Sequence, residues 1–216
     1  MSKFPFCYLI SLLLVFMLTV PSFGQTRVGK FGVGVDGSMQ YILGGGSVKT
    51  SPAIGYGVNM SYSIMEGISL RSKIAVNELS WTNSLNKTST TDLMAANFYV
   101  SGDLMPNSSF NLFLLGGGGL VFFDPKTAAG GRPGFVSSFD IHFIGGAGAD
   151  IFLSEFWSIT LMGEYVLTNS KDYNGPVNSD NDSFLRGSVQ IRYYLFDQSF
   201  ITKLFEAQRE RSKRSK

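Results

Sequence analysis

The chain has 216 residues, enough for one domain once a leader is removed. Its 18 Lys and Arg nearly balance 16 Asp and Glu, so neither nucleic-acid binding nor strong steering of a charged ligand is expected. A single cysteine excludes a disulfide framework, while 25 glycines and 14% aromatic residues suit a barrel with a crowded interior and aromatic rims.

In chain order, residues 1–24 read as a secretory signal peptide. Lys3 supplies the positive start, Phe4 to Val20 the apolar run, and Pro21-Ser22-Phe23-Gly24 a small-residue cleavage site before Gln25. A membrane anchor is the competing reading, because the run nearly reaches spanning length. Helix-breaking Pro21 and strands that begin at once favour the leader. Cys7 lies inside it with no lipobox, so lipid attachment is not expected, nor a thiol catalyst or cysteine metal site in the mature chain.

Eight segments of period-two alternation follow in residues 25–196, the pattern of strands with one oily and one polar face. The first, roughly Val28 to Ile42, sets Phe31, Val33, Val35, Met39 and Tyr41 against Lys30, Gly32, Gly34, Asp36 and Gln40. The second and third form a hairpin, Ile54 to Trp81, turning at Met65-Glu66-Gly67. On its arms Tyr56, Val58, Met60, Leu70 and Ile74 oppose Gly57, Asn59, Arg71 and Lys73. The fourth, Leu93 to Met105, has Met94, Phe98 and Val100 against Asn97, Tyr99, Ser101 and Asp103. The fifth, Phe110 to Phe123, is blurred by Phe113 and Leu115. Its Gly116-Gly117-Gly118-Gly119 run lacks the helix and Lys-Ser/Thr of a phosphate loop and reads as a bend or close approach. The sixth puts Ile141 and Phe143 against Asp140, His142 and Asp150; the seventh, Leu161 and Tyr165 against Thr160 and Glu164. The eighth puts Val189, Ile191, Tyr193 and Leu195 against Arg186, Ser188, Gln190 and Arg192.

In each segment the bulky residues share one face, while glycine, serine and charge share the other. A soluble barrel would carry its charge outside, so this inside-out arrangement wants lipid around it. The connections at Met65–Gly67, Pro106–Ser109 and Ser154–Phe156 are short. Those at Leu43–Ser51, Asn83–Asp92, Asp124–Ser137 and Ser170–Ser183 are longer and polar. Long-short alternation is what an up-and-down bacterial barrel shows, with short periplasmic turns and long outer loops. Residues 197–216 read as a short amphipathic helix with a basic periplasmic end, or equally as a solvated terminus.

The alternating strands, the Ile64-Met65-Glu66-Gly67-Ile68-Ser69-Leu70-Arg71 turn and the closing Val189-Gln190-Ile191-Arg192-Tyr193-Tyr194-Leu195-Phe196 resemble the eight-stranded outer-membrane β-barrel superfamily typified by OmpA and OmpX. The resemblance spans Val28 to Phe196. It implies an all-β, antiparallel, up-and-down transmembrane barrel in the outer membrane of a Gram-negative bacterium. Its partners would be outer-membrane lipids and lipopolysaccharide, the insertion machinery, and an unnamed surface ligand at the loops. Within the closing strand, Ile191, Tyr193, Leu195 and Phe196 are similar to the aromatic-ended signal that this machinery reads. Many OmpA-like chains continue into a peptidoglycan-binding domain; only the short tail follows here, so anchoring through such a domain is not expected.

The inward face collects Lys30, Arg71, Lys73, Arg186 and Arg192 with Asp36, Asp103, Asp140, Asp150 and Glu164. Equal numbers of each sign imply a paired plug, since an unpaired buried charge costs several kcal/mol. A ring of eight strands is just wide enough for side chains to fill, which favours the plug over a narrow conduit for ions. Some barrels of this architecture modify lipid A, using a histidine and a serine that lipid can reach. The only histidine, His142, turns inward beside Asp140 without an adjacent serine, so no catalysis is expected. No cofactor or metal is expected either: Asp180-Asn181-Asp182 is loop chemistry with little claim on calcium. The expected role is structural or surface-interacting, with a narrow porin-like channel and a lipid A-modifying enzyme as the alternatives.

Overall fold

Alternation that is apolar on one side and polar on the other closes here into a cylinder. The structure is a computed structural model describing residues 27–43, 49–82, 88–126, 139–170, 173 and 181–196. The expected leader (1–24) and tail (197–216) lie outside those residues. The strands are β1 (Phe31–Leu43), β2 (Lys49–Ser51), β3 (Ala53–Met65), β4 (Ile68–Thr82), β5 (Thr88–Asp103), β6 (Phe110–Lys126), β7 (Phe139–Phe152), β8 (Trp157–Thr168) and β9 (Ser183–Phe196). Every pairing is antiparallel. β1 pairs with both β3 and β9, and β4 pairs with β5, so the sheet closes and leaves no edge among the eight long strands.

β2 and β3 together make one stave, both lying on β4. Ser51 faces Ser80 while Gly55 faces Asn77, so four steps on one strand answer three on the other. Pro52, which has no N–H to give the ladder, sits at that irregularity.

Several boundaries differ from the sequence reading, among them Lys49–Ser51, which forms β2 inside the expected Leu43–Ser51 connection, and β5, which ends at Asp103 and not Met105. Residues 28–30 form a turn rather than the start of β1: Gly29 has φ 78°, and its N–H donates to the Ser63 carbonyl at 2.7 Å. Thr88–Asp92 belong to β5, and Asp124–Lys126 to β6. The strands thus run past the point where apolar residues stop. Ladder hydrogen bonds do not depend on side-chain polarity, so the pairing Asp92↔Asp124 continues beyond the lipid-facing belt.

Outside, the bulky residues are exposed: Val35, Tyr56, Val58, Met60, Ile74, Phe98, Phe143 and Leu161 among them. Leu112, Leu114, Leu120 and Phe122 of the blurred segment also face outward. Rings gather towards both ends. Trp157 and Phe156 lie 4.9 and 6.1 Å from Tyr193 near the short turns, and Phe122 lies 5.3 Å from Phe139 near the long connections. Such a belt with aromatic girdles is stable in lipid and untenable in water.

Inside, the lumen is less uniformly polar than the alternation implied. Tyr99, Phe113, Leu115, Ile144, Met162, Val166 and Phe184 form an apolar wall on the side of β5 to β9. A second apolar group, Ile42, Leu79, Leu93, Ala95, Val121, Phe123 and Tyr173, fills the end that carries the long connections. Phe113 and Leu115 blurred their strand because an apolar residue on a period-two pattern can face lipid or a core, and these two face the core.

Candidate functional site

Charge inside a barrel is held by what reaches it across the lumen, so each inward group is placed by strand register and by the room its neighbours leave. Glycine supplies much of that room. A Cβ at Gly57 would lie 2.8 Å from Asp36 Oδ1, and one at Gly32 2.7 Å from Arg192 Cδ, closer than real Cβ contacts come.

Near the middle, Lys73 Nζ lies 2.6 Å from Asp36 Oδ2. Arg186 holds Glu164 with two parallel bonds, Nε to Oε2 at 2.7 Å and Nη2 to Oε1 at 2.9 Å. This is the strong fork geometry of guanidinium on carboxylate. Tyr99 OH donates to Glu164 Oε1 at 2.7 Å and accepts from Arg186 Nη2 at 3.2 Å.

Nearer the short turns, Arg71 Nη2 is 2.7 Å from Asp150 Oδ2 and 3.7 Å from Asp103 Oδ1, and its Nε donates to Ser101 Oγ at 3.0 Å. Its guanidinium lies 3.8 Å over the Phe113 ring, a cation–π contact that lets the charge sit against the apolar wall. Arg192 is 3.8 Å from Asp150 Oδ1 and donates to Asn59 Oδ1 at 3.1 Å and Gln190 Oε1 at 2.8 Å. Asp36, Lys73, Glu164, Arg186, Arg71, Asp103, Asp150 and Arg192 therefore meet in the lumen.

Two predicted members sit elsewhere. Lys30 lies in the turn before β1, where its Nζ donates to the Glu155 carbonyl at 3.4 Å. Asp140 accepts from the backbone N–H of Asn169 at 3.0 Å, that of Ser170 at 2.9 Å and Tyr173 OH at 3.3 Å, so it pins the last long connection, and no cation among the described residues pairs with it. Among the closing-strand residues, Ile191, Tyr193 and Leu195 face outward, and Phe196 pairs through its backbone with Phe31.

Two features had little or no sequence signal. Arg27, before the first strand, lies 3.5 Å over the Phe152 ring and donates to the Ser108 carbonyl, while Tyr194 stacks on Phe152 at 5.8 Å. Together they pack the lumen at the short-turn end. Tyr173 comes from a polar connection, yet it is fully buried and stacked on Phe123 at 4.4 Å. His142 turns inward as its alternation required, with Nε2 2.7 Å from Asn97 Oδ1. Among the described residues no group of three or more His, Cys, Asp or Glu is placed to hold a metal ion.

A closed antiparallel barrel of eight staves, apolar and ring-girdled outside and charged within, has the architecture of a transmembrane β-barrel. No protein-family model and no curated protein matches the chain. Solved structures do. Neisserial surface protein A superposes with a TM-score of 0.52 at 15% identity, over 76% of this chain and 97% of that one. Ail, the attachment invasion locus protein of Yersinia pestis, solved with the heparin analogue sucrose octasulfate, gives 0.53 at 13%, over 78% and 99%. The outer membrane protein OprG of Pseudomonas aeruginosa gives 0.51 at 12%, over 81% and 100%. At these identities the likeness is one of fold.

Proposed function

We propose that this chain is an integral outer-membrane β-barrel with a structural or surface-interaction role and without catalysis, its lumen closed to solutes by its own side chains. The observation that carries the reading is an interior filled by buried side chains, with ion pairs such as Arg186–Glu164 in the middle and apolar groups at the long-connection end. They occupy an interior that eight strands leave only wide enough for side chains. Removing both charges from water is costly, and close geometry with added hydrogen bonds offsets that cost. Recognition then falls to the long connections, as it does in most scaffolds of rigid strands and variable loops. The Ail structure was solved with a heparin analogue; an equivalent surface ligand here would meet the loops between β1 and β2, β4 and β5, β6 and β7, and β8 and β9. Lipopolysaccharide and lipid surround the belt, and the insertion machinery reads β9.

The reading is tested in planar bilayers. The purified barrel should show no steady conductance above the lipid background. Porin-like unitary steps in the unaltered protein would replace this reading with the narrow channel. Lipid A modification is disfavoured by His142, which is bonded to Asn97 inside the lumen and faces away from the lipid. Mass spectrometry of lipid A from cells with and without the protein should show one and the same species.

A further inference from the structure

The two parts of the lumen differ in how well their polar groups are matched. In the charged part, both amide atoms of Gln40, Asn97 Nδ2, His142 Nδ1 and Ser188 Oγ are buried without a protein partner, as are Asn111 Nδ2 and Ser158 Oγ towards the short turns. Each such group costs about 1–3 kcal/mol unless something hydrogen-bonds to it. A set spread along this whole stretch is stable only if water reaches it.

The long-connection end is built the opposite way. Ile42, Leu79, Leu93, Val121 and Phe123 point inward from β1, β4, β5 and β6 and pack around Tyr173. Every polar group of Tyr173 is met by protein. Its N–H donates to Asp182 Oδ2 at 3.0 Å, its carbonyl accepts from Thr91 Oγ1 at 2.7 Å, and its OH donates to Asp140 Oδ2 at 3.3 Å. Burial, with Asp140 next, raises the phenol above its usual range, so it stays neutral. This layer asks for no water.

We infer that the permeability barrier of the barrel is this dry apolar septum, completed by Tyr173, and that the ion pairs below it stand in a hydrated stretch of lumen. The inference rests on the reading of a closed lumen and locates the closure. An apolar constriction offers an ion nothing in place of its hydration shell and excludes water by dewetting. Ion pairs with unmatched neighbours do the reverse, because they attract water and can exchange partners with it.

The test compares two kinds of variant in planar bilayers, each first checked for the heat-modifiable gel shift of a folded barrel. Tyr173→Ala, and separately Leu93→Asn, which polarises the septum at nearly constant volume, should show unitary steps at least tenfold above the lipid background. The pair Arg186→Met with Glu164→Met, which removes the central ion pair without leaving a lone charge, should stay at the unaltered level. Opening by the methionine pair while both septum variants stay silent would overturn the proposal, and so would silence from all three. Conductance in the unaltered protein would sink the closed-lumen reading itself, a distinguishable result. In lipid nanodiscs, NMR transfer from water should reach the side-chain amides of Gln40 and Asn97 but not the methyls of Leu93 and Val121. Water signals at those methyls would overturn the septum independently.

Discussion

Val58 and Asn59 are neighbours on β3, yet one is 52% exposed on the lipid face and the other 3% exposed in the lumen. Val58→Arg should therefore cost about 2–4 kcal/mol of barrel stability, read as a lowered urea midpoint in lipid. Asn59→Ala acts by another route. It strips Arg192 Nε of its 3.1 Å acceptor and should cost about 1–3 kcal/mol. Glu164→Ala leaves Arg186 buried without its carboxylate and should cost about 3–5 kcal/mol, whereas replacing both partners by Met should cost less than that single change. If the double variant is the weaker, the pair contributes more than its desolvation takes. Steric room gives a third contrast. A Cβ at Gly148 would collide with the Phe113 ring, while one at Gly187 meets nothing within 4 Å. Gly148→Val should impair folding in the gel-shift assay, and Gly187→Ala should leave the folded fraction unchanged.

At the scale of the element, β9 closes the cylinder against β1 over Phe31↔Phe196 to Leu43↔Ser183 and lies on β8 along its other side. Its outward Tyr193 packs with Trp157 and Phe156 at the short-turn end. Tyr193→Asp with Leu195→Asp places two charges on the lipid face of the closing strand, where each is costly. The expected outcome is loss of the chain from the outer-membrane fraction and its degradation. Deletion of 197–216 should leave insertion intact, because the closing strand ends at Phe196. Failure of that truncated chain to insert would give the tail a part in assembly.

For the whole molecule the decisive property is orientation. The short turns at 66–67, 104–109 and 153–156 share one end of the barrel, and the longer connections share the other. Short turns facing the periplasm and long loops facing out is the arrangement expected of such barrels. Gly67→Cys and Ser108→Cys should react with a membrane-impermeant maleimide only after the outer membrane is opened. Gly130→Cys, in a connection outside the described residues, should react on intact cells. Cys7 is the native chain's only cysteine, so a Cys7→Ser background leaves the introduced thiol alone to react. Labelling in the reverse order would turn the barrel over and take the surface role with it.

Period-two alternation is a local property, which is why the sequence alone determined that Val58, Phe98, Phe143 and Ile191 face lipid while Asn59, Lys73, Glu164 and Arg192 face inward. The eight staves and the alternation of short and long connections were legible for the same reason. Strand ends were less so, because hydrogen bonding carries β5 and β6 through Asp92 and Asp124 past the belt that polarity marks. Partners needed the closed barrel. Arg71 meets Asp150 from 79 residues away, and only closure with a particular tilt and register sets them at one level. The same geometry put Lys30 in a turn, turned Asp140 to the last long connection, and sent Phe113 and Leu115 to the core. Tyr173 was the least legible of all. Nothing in a polar connection marks one ring for burial; that was decided by an apolar space at the barrel's end, whose walls come from β1, β4, β5 and β6, all remote in sequence from Tyr173.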